Sequence, residues 1–212
     1  MRIDRHAFFA QVRTSLFSGA LATGQVAGLN ALLDGWEQRH PAGDVRWLAY
    51  GLATAYHETG RCLQPVRERG SASYCENRYG IAGRYPARAR RLGNTRPGDG
   101  DRYRGRGFAQ LTFKANYAAM AAHLGRVRGQ PVDLVGSPEL ACRLDLAVEI
   151  LFYGMESGAF TGRSLADCFS RDAAGRITRD DWIGARAIIN GRDRAALVAG
   201  YGRAFLAALG EG

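Results

Sequence analysis

The sequence predicts one mostly α domain over residues 1–212, with a short β element near its middle. Three observations predict it. Apolar residues recur at helical spacing through most of the first 58 positions and again from Asp145 onward. Between those regions, Arg61 to Arg102 has no strong period and is dominated by Gly, Pro, Arg and Tyr. The segment that follows, Tyr103 to Thr112, carries Gly105 and Gly107 and then alternates apolar and polar residues, the period of a strand.

Each element has a local signal. Asp4 is placed to N-cap a helix reaching about Leu16, with Phe8, Phe9, Val12 and Leu16 on one face. Thr23 is expected to cap the next, Gly24 to Arg39, striped by Val26, Leu29, Leu32, Leu33 and Trp36. His40-Pro41-Ala42-Gly43 ends it, and Asp44 caps a third helix, V-R-W-L-A-Y-G-L-A-T-A-Y-H-E. That helix is apolar nearly all round, as for one buried at a domain centre. Residues Gly93 to Gly100 are turn chemistry throughout. Phe113 to Leu124 reads as helix, and Asp145 opens a strongly apolar one. Asp180 or Asp181 is expected to cap W-I-G-A-R-A-I-I-N-G, which stops at Gly191, and Asp193 opens a last amphipathic helix to about Leu209.

Composition narrows the function. The chain carries a net charge of +9, nearly all of it from arginine, since Lys114 is the one lysine. A basic surface favours anionic partners, whether nucleic acid, membrane surface or cell-wall polymer. No helix-turn-helix, RNA-recognition or zinc-finger signature accompanies the charge, so no specific nucleic-acid binding is expected, and a basic nucleic-acid-binding protein stands as the alternative from another functional class. No run of 18 apolar residues occurs, so no membrane insertion is expected. The N-terminal M-R-I-D-R-H-A-F-F-A-Q-V-R lacks a continuous apolar stretch, which predicts no secretory signal and a cytoplasmic protein. There is no internal repeat, and no linker or appended wall-binding segment is recognised. Cys62, Cys75, Cys142 and Cys168 form no C-x-x-C, and the four histidines are scattered. H-E-T-G-R follows the zinc-protease pattern for two residues, then puts Arg61 where a second His must stand. Neither a metal nor a cofactor is expected.

The chemistry concentrates in Tyr56 to Glu68, Y-H-E-T-G-R-C-L-Q-P-V-R-E. Glu58 closes the buried helix, where desolvation and the negative helix end both favour a neutral carboxyl, as a general acid needs. Glu68 lies between Arg67 and Arg69, whose charge keeps a base ionised. Two carboxylates roughly 5–10 Å apart, one protonated and one ionised, are the machinery of glycoside hydrolysis. Glu76, in Y-C-E-N, is the reserve candidate for the base, with a surface position near Arg78 as its alternative. A structural role for Glu58 would pair it with Arg61 or Arg67. In Y-R-G-R-G-F-A-Q-L-T the two glycines allow close backbone approach, and Gln110 and Thr112 would share one strand face.

Taken together, H-E-T-G, the following Q-P-V-R-E, G-N-T-x-P-G-D-G, Y-R-G-R-G-F-x-Q-L-T, N-Y and the late A-R-x-I-I-N-G resemble family 19 glycoside hydrolases. Within that family they are most similar to the chitinase-like endolysins of bacteriophages and prophages. The likeness runs from about Phe8 to Phe205. It implies a lysozyme-like, largely helical fold in two lobes around a cleft, with a small β-hairpin region. It implies cleavage, with inversion, of β-1,4 bonds in polymers containing N-acetylglucosamine. The family's acid falls on Glu58, its base on Glu68, and the residue that helps place the water on Thr112. Gln110, Asn116 and Asn190 fall on positions that contact sugar or shape the cleft; Tyr103, Arg106 and Arg186 are further candidates for its wall. The expected substrate is bacterial peptidoglycan, with chitin or its oligomers as the alternative. A monomer is expected, reaching the wall after release through a separately permeabilised membrane.

Overall fold

The computed structural model describes residues 3–210. The chain divides into two compact units, one made of the N-terminal segment through Gln64 together with Leu151 onward, the other of Pro65–Ile150. In the first unit, α1 (Arg5–Ser15) starts as expected: the Asp4 carboxylate accepts from the Ala7 amide at 3.0 Å. Helix α2 (Thr23–Arg39) starts one residue earlier than expected. Thr23 lies inside its first turn, Ala22 takes the cap position, and the Gln25 side chain reaches back to accept from the Ala22 amide at 2.8 Å. Helix α3 (Val45–Glu58), capped by Asp44, is buried along almost its whole length, from Val45 through Tyr56.

The second unit holds β1 (Val66–Arg67), α4 (Ala72–Tyr79), α5 (Pro86–Arg91), α6 (Asp99–Arg102), β2 (Arg106–Gly107), α7 (Lys114–Arg128) and the start of α8 (Leu144–Ser157). Strands β1 and β2 are antiparallel, with Val66 opposite Gly107 and Arg67 opposite Arg106. The region read as irregular contains three helices of four to eight residues, too short to display a repeating apolar stripe. The strand expected through Thr112 is cut short. Gly107 and Gln110 have φ of 81° and 52°, and the chain folds back so that Arg106 and Leu111 exchange backbone hydrogen bonds at 2.9 and 3.2 Å. Gln110 and Thr112 therefore do not share the face of an extended strand. Phe108, Leu111, Tyr117, Met120, Leu124 and Leu134 form this unit's core.

Back in the first unit, β3 (Phe169–Arg171) and β4 (Ile177–Asp180) form a hairpin that periodicity did not reveal. Its turn is set by Asp172, whose carboxylate accepts from the Ala174 and Arg176 amides at 2.9 Å each. Arg46, 2% exposed, ties this hairpin to the start of α3: it pairs with Asp44 and Asp180 and donates to the Ser170 and Arg179 carbonyls. The helix expected from Asp180 or Asp181 resolves into a 3-10 turn (Gly184–Arg186) and a short α9 (Ala187–Asn190). Asp181 does act as a cap, accepting from the Gly184 amide at 2.7 Å. The last helix, α10 (Ala195–Ala208), packs along α3, with Gly202 leaving room for the Trp182 and Tyr50 rings.

Candidate active site

Glu58 ends α3, and the turn after it is clipped in place. The buried Thr59 hydroxyl donates to the Ala55 carbonyl at 2.7 Å and accepts from the Leu63 amide at 3.0 Å. Gly60, Arg61 and Leu63 all adopt positive φ, so the chain reverses within five residues. Leu63 then meets α2 at Gly28, where a Cβ would collide with the Leu63 carbonyl. This anchoring leaves the Glu58 carboxyl beside Arg186, whose Nη1 donates to Oε1 at 2.5 Å. Arg186 is 2% exposed and is itself held by its Nε bond to the Asp193 carbonyl at 2.9 Å. The partner of Glu58 is thus neither Arg61 nor Arg67. Arg61 instead lies over the Tyr56 ring and donates to the Tyr201 hydroxyl. His57 is depressed from the usual imidazole range by burial, with Arg186 and Arg194 adding to the effect and Glu58 opposing it.

Glu68 follows β1 and has a different set of partners. Its Oε1 accepts from the Tyr79 hydroxyl at 2.9 Å, and its Oε2 from the Gly105 amide at 3.2 Å. The backbone is pinned on both sides: the Glu68 amide donates to the Gly105 carbonyl at 2.8 Å, and Arg104 donates to the Glu68 and Gly70 carbonyls. Burial and the adjacent Glu68 charge both push the Tyr79 phenol well up, so it remains a donor. Gly105 is required here, because a Cβ would sit 2.6 Å from Gln110 Oε1 and 3.2 Å from Glu68 Oε2. The Gln110 and Glu68 side chains therefore come together over this glycine.

The remaining expected residues are placed as follows. Thr112 is half-buried, and its hydroxyl donates to the Gln110 carbonyl at 2.8 Å, leaving the oxygen as an acceptor. The Gln110 amide donates to the Val66 and Gly107 carbonyls, holding β1 to the loop. Asn116 donates to the Thr112 carbonyl at 2.8 Å. Tyr103 is buried at 3% exposure, with its hydroxyl on the Val135 carbonyl and its ring against Tyr117. Asn190 is exposed at the end of α9. Glu76 is not a surface carboxylate near Arg78: its Oε2 accepts from the Gly100 and Asp101 amides at the start of α6. Buried Arg106 pairs with Glu139 and donates to the Tyr117 hydroxyl. Among the described residues, no group of three or more His, Cys, Asp or Glu side chains is placed to hold a metal ion.

Sequence reasoning missed Tyr79 and the backbone amide of Gly105 as partners of Glu68, and Thr59 as the clip of the turn after Glu58. It placed Arg186 only at a cleft wall. A buried arginine 128 positions after its partner leaves no spacing signal. Tyr79 lay in the stretch without a period.

The helical frame with its short β1–β2 pairing is the lysozyme-like fold of family 19 chitinases. Chitinase C of Streptomyces griseus superimposes with a TM-score of 0.58 at 17% identity, over 99% of this chain and 77% of that one. A bacterial family 19 chitinase gives 0.55 at 18% identity, over 99% and 96%. In sequence, a glycosyl hydrolase family 19 domain-containing protein of Haemophilus influenzae is 47% identical over 57 residues. That match spans 26% of this chain and 28% of the relative's length. No family model matches the chain.

Proposed function

We propose that the protein is a glycoside hydrolase that cleaves β-1,4 bonds of bacterial peptidoglycan with inversion. One observation carries the reading: on a chitinase fold, Glu58 and Glu68 are each oriented by a dedicated partner, Arg186 in one case and Tyr79 in the other. Arg186 occupies Oε1 of Glu58, which leaves Oε2 as the oxygen that would pass a proton to the leaving group. Glu68 takes a proton from the attacking water. Thr112 spends its own hydrogen on Gln110, so its oxygen accepts the water's second hydrogen. Both water protons are then engaged and a lone pair faces the anomeric carbon. Gln110, Asn116, Asn190 and Tyr103 shape the sugar path directly or through the backbone they hold. Inversion requires the two carboxyls about 6.5–9.5 Å apart, with the water between.

Peptidoglycan is favoured over chitin by the arginine-derived charge of +9, which suits an anionic wall polymer. On this reading the enzyme acts as a monomer at the wall. The chitin alternative draws on the names of the structural neighbours. Digests of purified peptidoglycan and of N-acetylglucosamine hexamer, read by mass spectrometry, decide between them. Reducing-end fragments cut at a β-1,4 bond are expected from peptidoglycan, and turnover of the hexamer alone overturns the substrate choice. Glu58→Gln keeps the side-chain shape but cannot donate the proton, and should cost ~10²–10⁴-fold in rate per folded molecule, with the melting temperature lowered because buried Arg186 loses its anionic partner. Near-wild-type lysis by the folded variant rules the acid out.

A further inference from the structure

We infer that Tyr79 is a positioning residue for Glu68: its hydroxyl fixes Oε1, so that the water proton goes to the lone pair of Oε2 not taken by the Gly105 amide, while Asn94 locks Tyr79 in place. The inference rests on the reading of Glu68 as the base. Asn94 is fully buried and joins three segments. Its Nδ2 donates to the Tyr79 carbonyl at 3.0 Å and to the Asp99 carbonyl at 3.4 Å. Its Oδ1 accepts from the Lys114 amide at 2.9 Å, two residues beyond Thr112. Phe113, between Thr112 and Lys114, has φ of 72° and sets its ring edge-on to Tyr79, centroids 5.4 Å apart. One side chain thus secures both the element that aims the donor at Glu68 and the segment that delivers Thr112. The G-N-T segment, otherwise a turn, gains a chemical reason for its asparagine. A shorter residue at 94 cannot bridge the segments, and leucine would take this partner from the Tyr79 and Asp99 carbonyls and the Lys114 amide.

The donor has a second effect. A hydrogen bond to a carboxylate favours its ionised form. The other charged or titratable groups facing Glu68 are Cys75 and Arg78 on α4 and Arg104 before β2, with Arg67 and Arg69 beside it in the chain. The arginines hold their charge throughout the working range, and burial pushes the Cys75 thiol up, so it stays neutral. Tyr79 is therefore the group whose loss registers in Glu68's titration.

Tyr79→Phe removes one oxygen and keeps the ring against Phe113. Carbon-13 NMR of the Glu68 carboxyl should show its titration midpoint raised in this variant, because a donor to the carboxylate is lost. The acidic limb of the pH–rate profile on peptidoglycan should move up with it, kcat should fall ~10-fold, and KM should stay within about twofold. Asn94→Ala should move the midpoint the same way by less and add nothing in the Tyr79→Phe background. An unmoved midpoint in folded Tyr79→Phe overturns the inference, whatever happens to Asn94→Ala. A Glu68→Gln variant separates the two readings. If it keeps wild-type activity the base assignment falls, while the carboxyl titration still reports on the Tyr79–Glu68 bond.

Discussion

Gly105 is the residue on which the base geometry turns. Its amide donates to Glu68, and both Glu68 and Gln110 lie where its side chain would be. Gly105→Ala should push both groups aside, lowering kcat at least ~10-fold, since small misplacements near the chemistry are costly. Steady-state rates beside a thermal melt check this. His57 offers a pH signature. Its folded value is depressed by burial, so the unfolded chain takes up a proton more readily. The stability held above the ordinary histidine value near pH 6.5 should drain away as the pH falls through the folded value. His57→Gln should flatten Tm against pH below about 6.5. At this scale the sequence was legible where chemistry is local. Glu58 and Glu68 stand out as candidates by residue type, by the apolar helix that ends on the first and by the arginines beside the second. Arg186 and Tyr79 could not be read, because their roles exist only once distant segments meet.

At the scale of elements, the long helices were legible because a stripe repeated over three turns or more is a strong signal. Asp4 and Asp44 cap as expected, whereas the start of α2 was misread because Gln25 replaces the hydroxyl cap. The hairpin β3–β4 escaped notice. Ile177 to Asp180 is exposed at every position, so no apolar alternation marks it. It is held instead by Arg46, a cation with almost no exposure joined to two carboxylates and two carbonyls. Arg46→Met keeps the bulk and strips the charge. It removes the cation shared by Asp44, Asp180 and two carbonyls, leaving Asp44 only Arg171 and the backbone amide of residue 46 among these partners, and should cost about 3 kcal/mol, lowering Tm by about 6–12 °C. Differential scanning calorimetry measures the loss. The Glu58 chemistry should survive in the folded fraction, because α3 is fastened separately at its other end by Thr59.

For the whole molecule, the proposed preference for an anionic wall makes the arginine-borne charge testable by salt. Screening by salt weakens attraction between exposed charges within a Debye length of about 10 Å at 0.1 M. Raising ionic strength from about 0.05 to 0.5 M should therefore lift the apparent KM on anionic walls several-fold and leave hydrolysis of the neutral N-acetylglucosamine hexamer nearly unchanged. Parallel assays in the same buffers read this directly. The turn that fastens Glu58 has a wider consequence. Thr59, Leu63 and Gly28 close that frame before the chain reaches Pro65, while Tyr79, Gly105 and Asn94 build the other from later residues. On the proposed reading, none of the contacts named in either frame runs through the proton that Glu58 would give up. A lineage that exchanged Glu58 for glutamine would, on that reading, lose the catalyst and keep both frames: a glycan-holding protein, available for tethering or sensing where its ancestor cut.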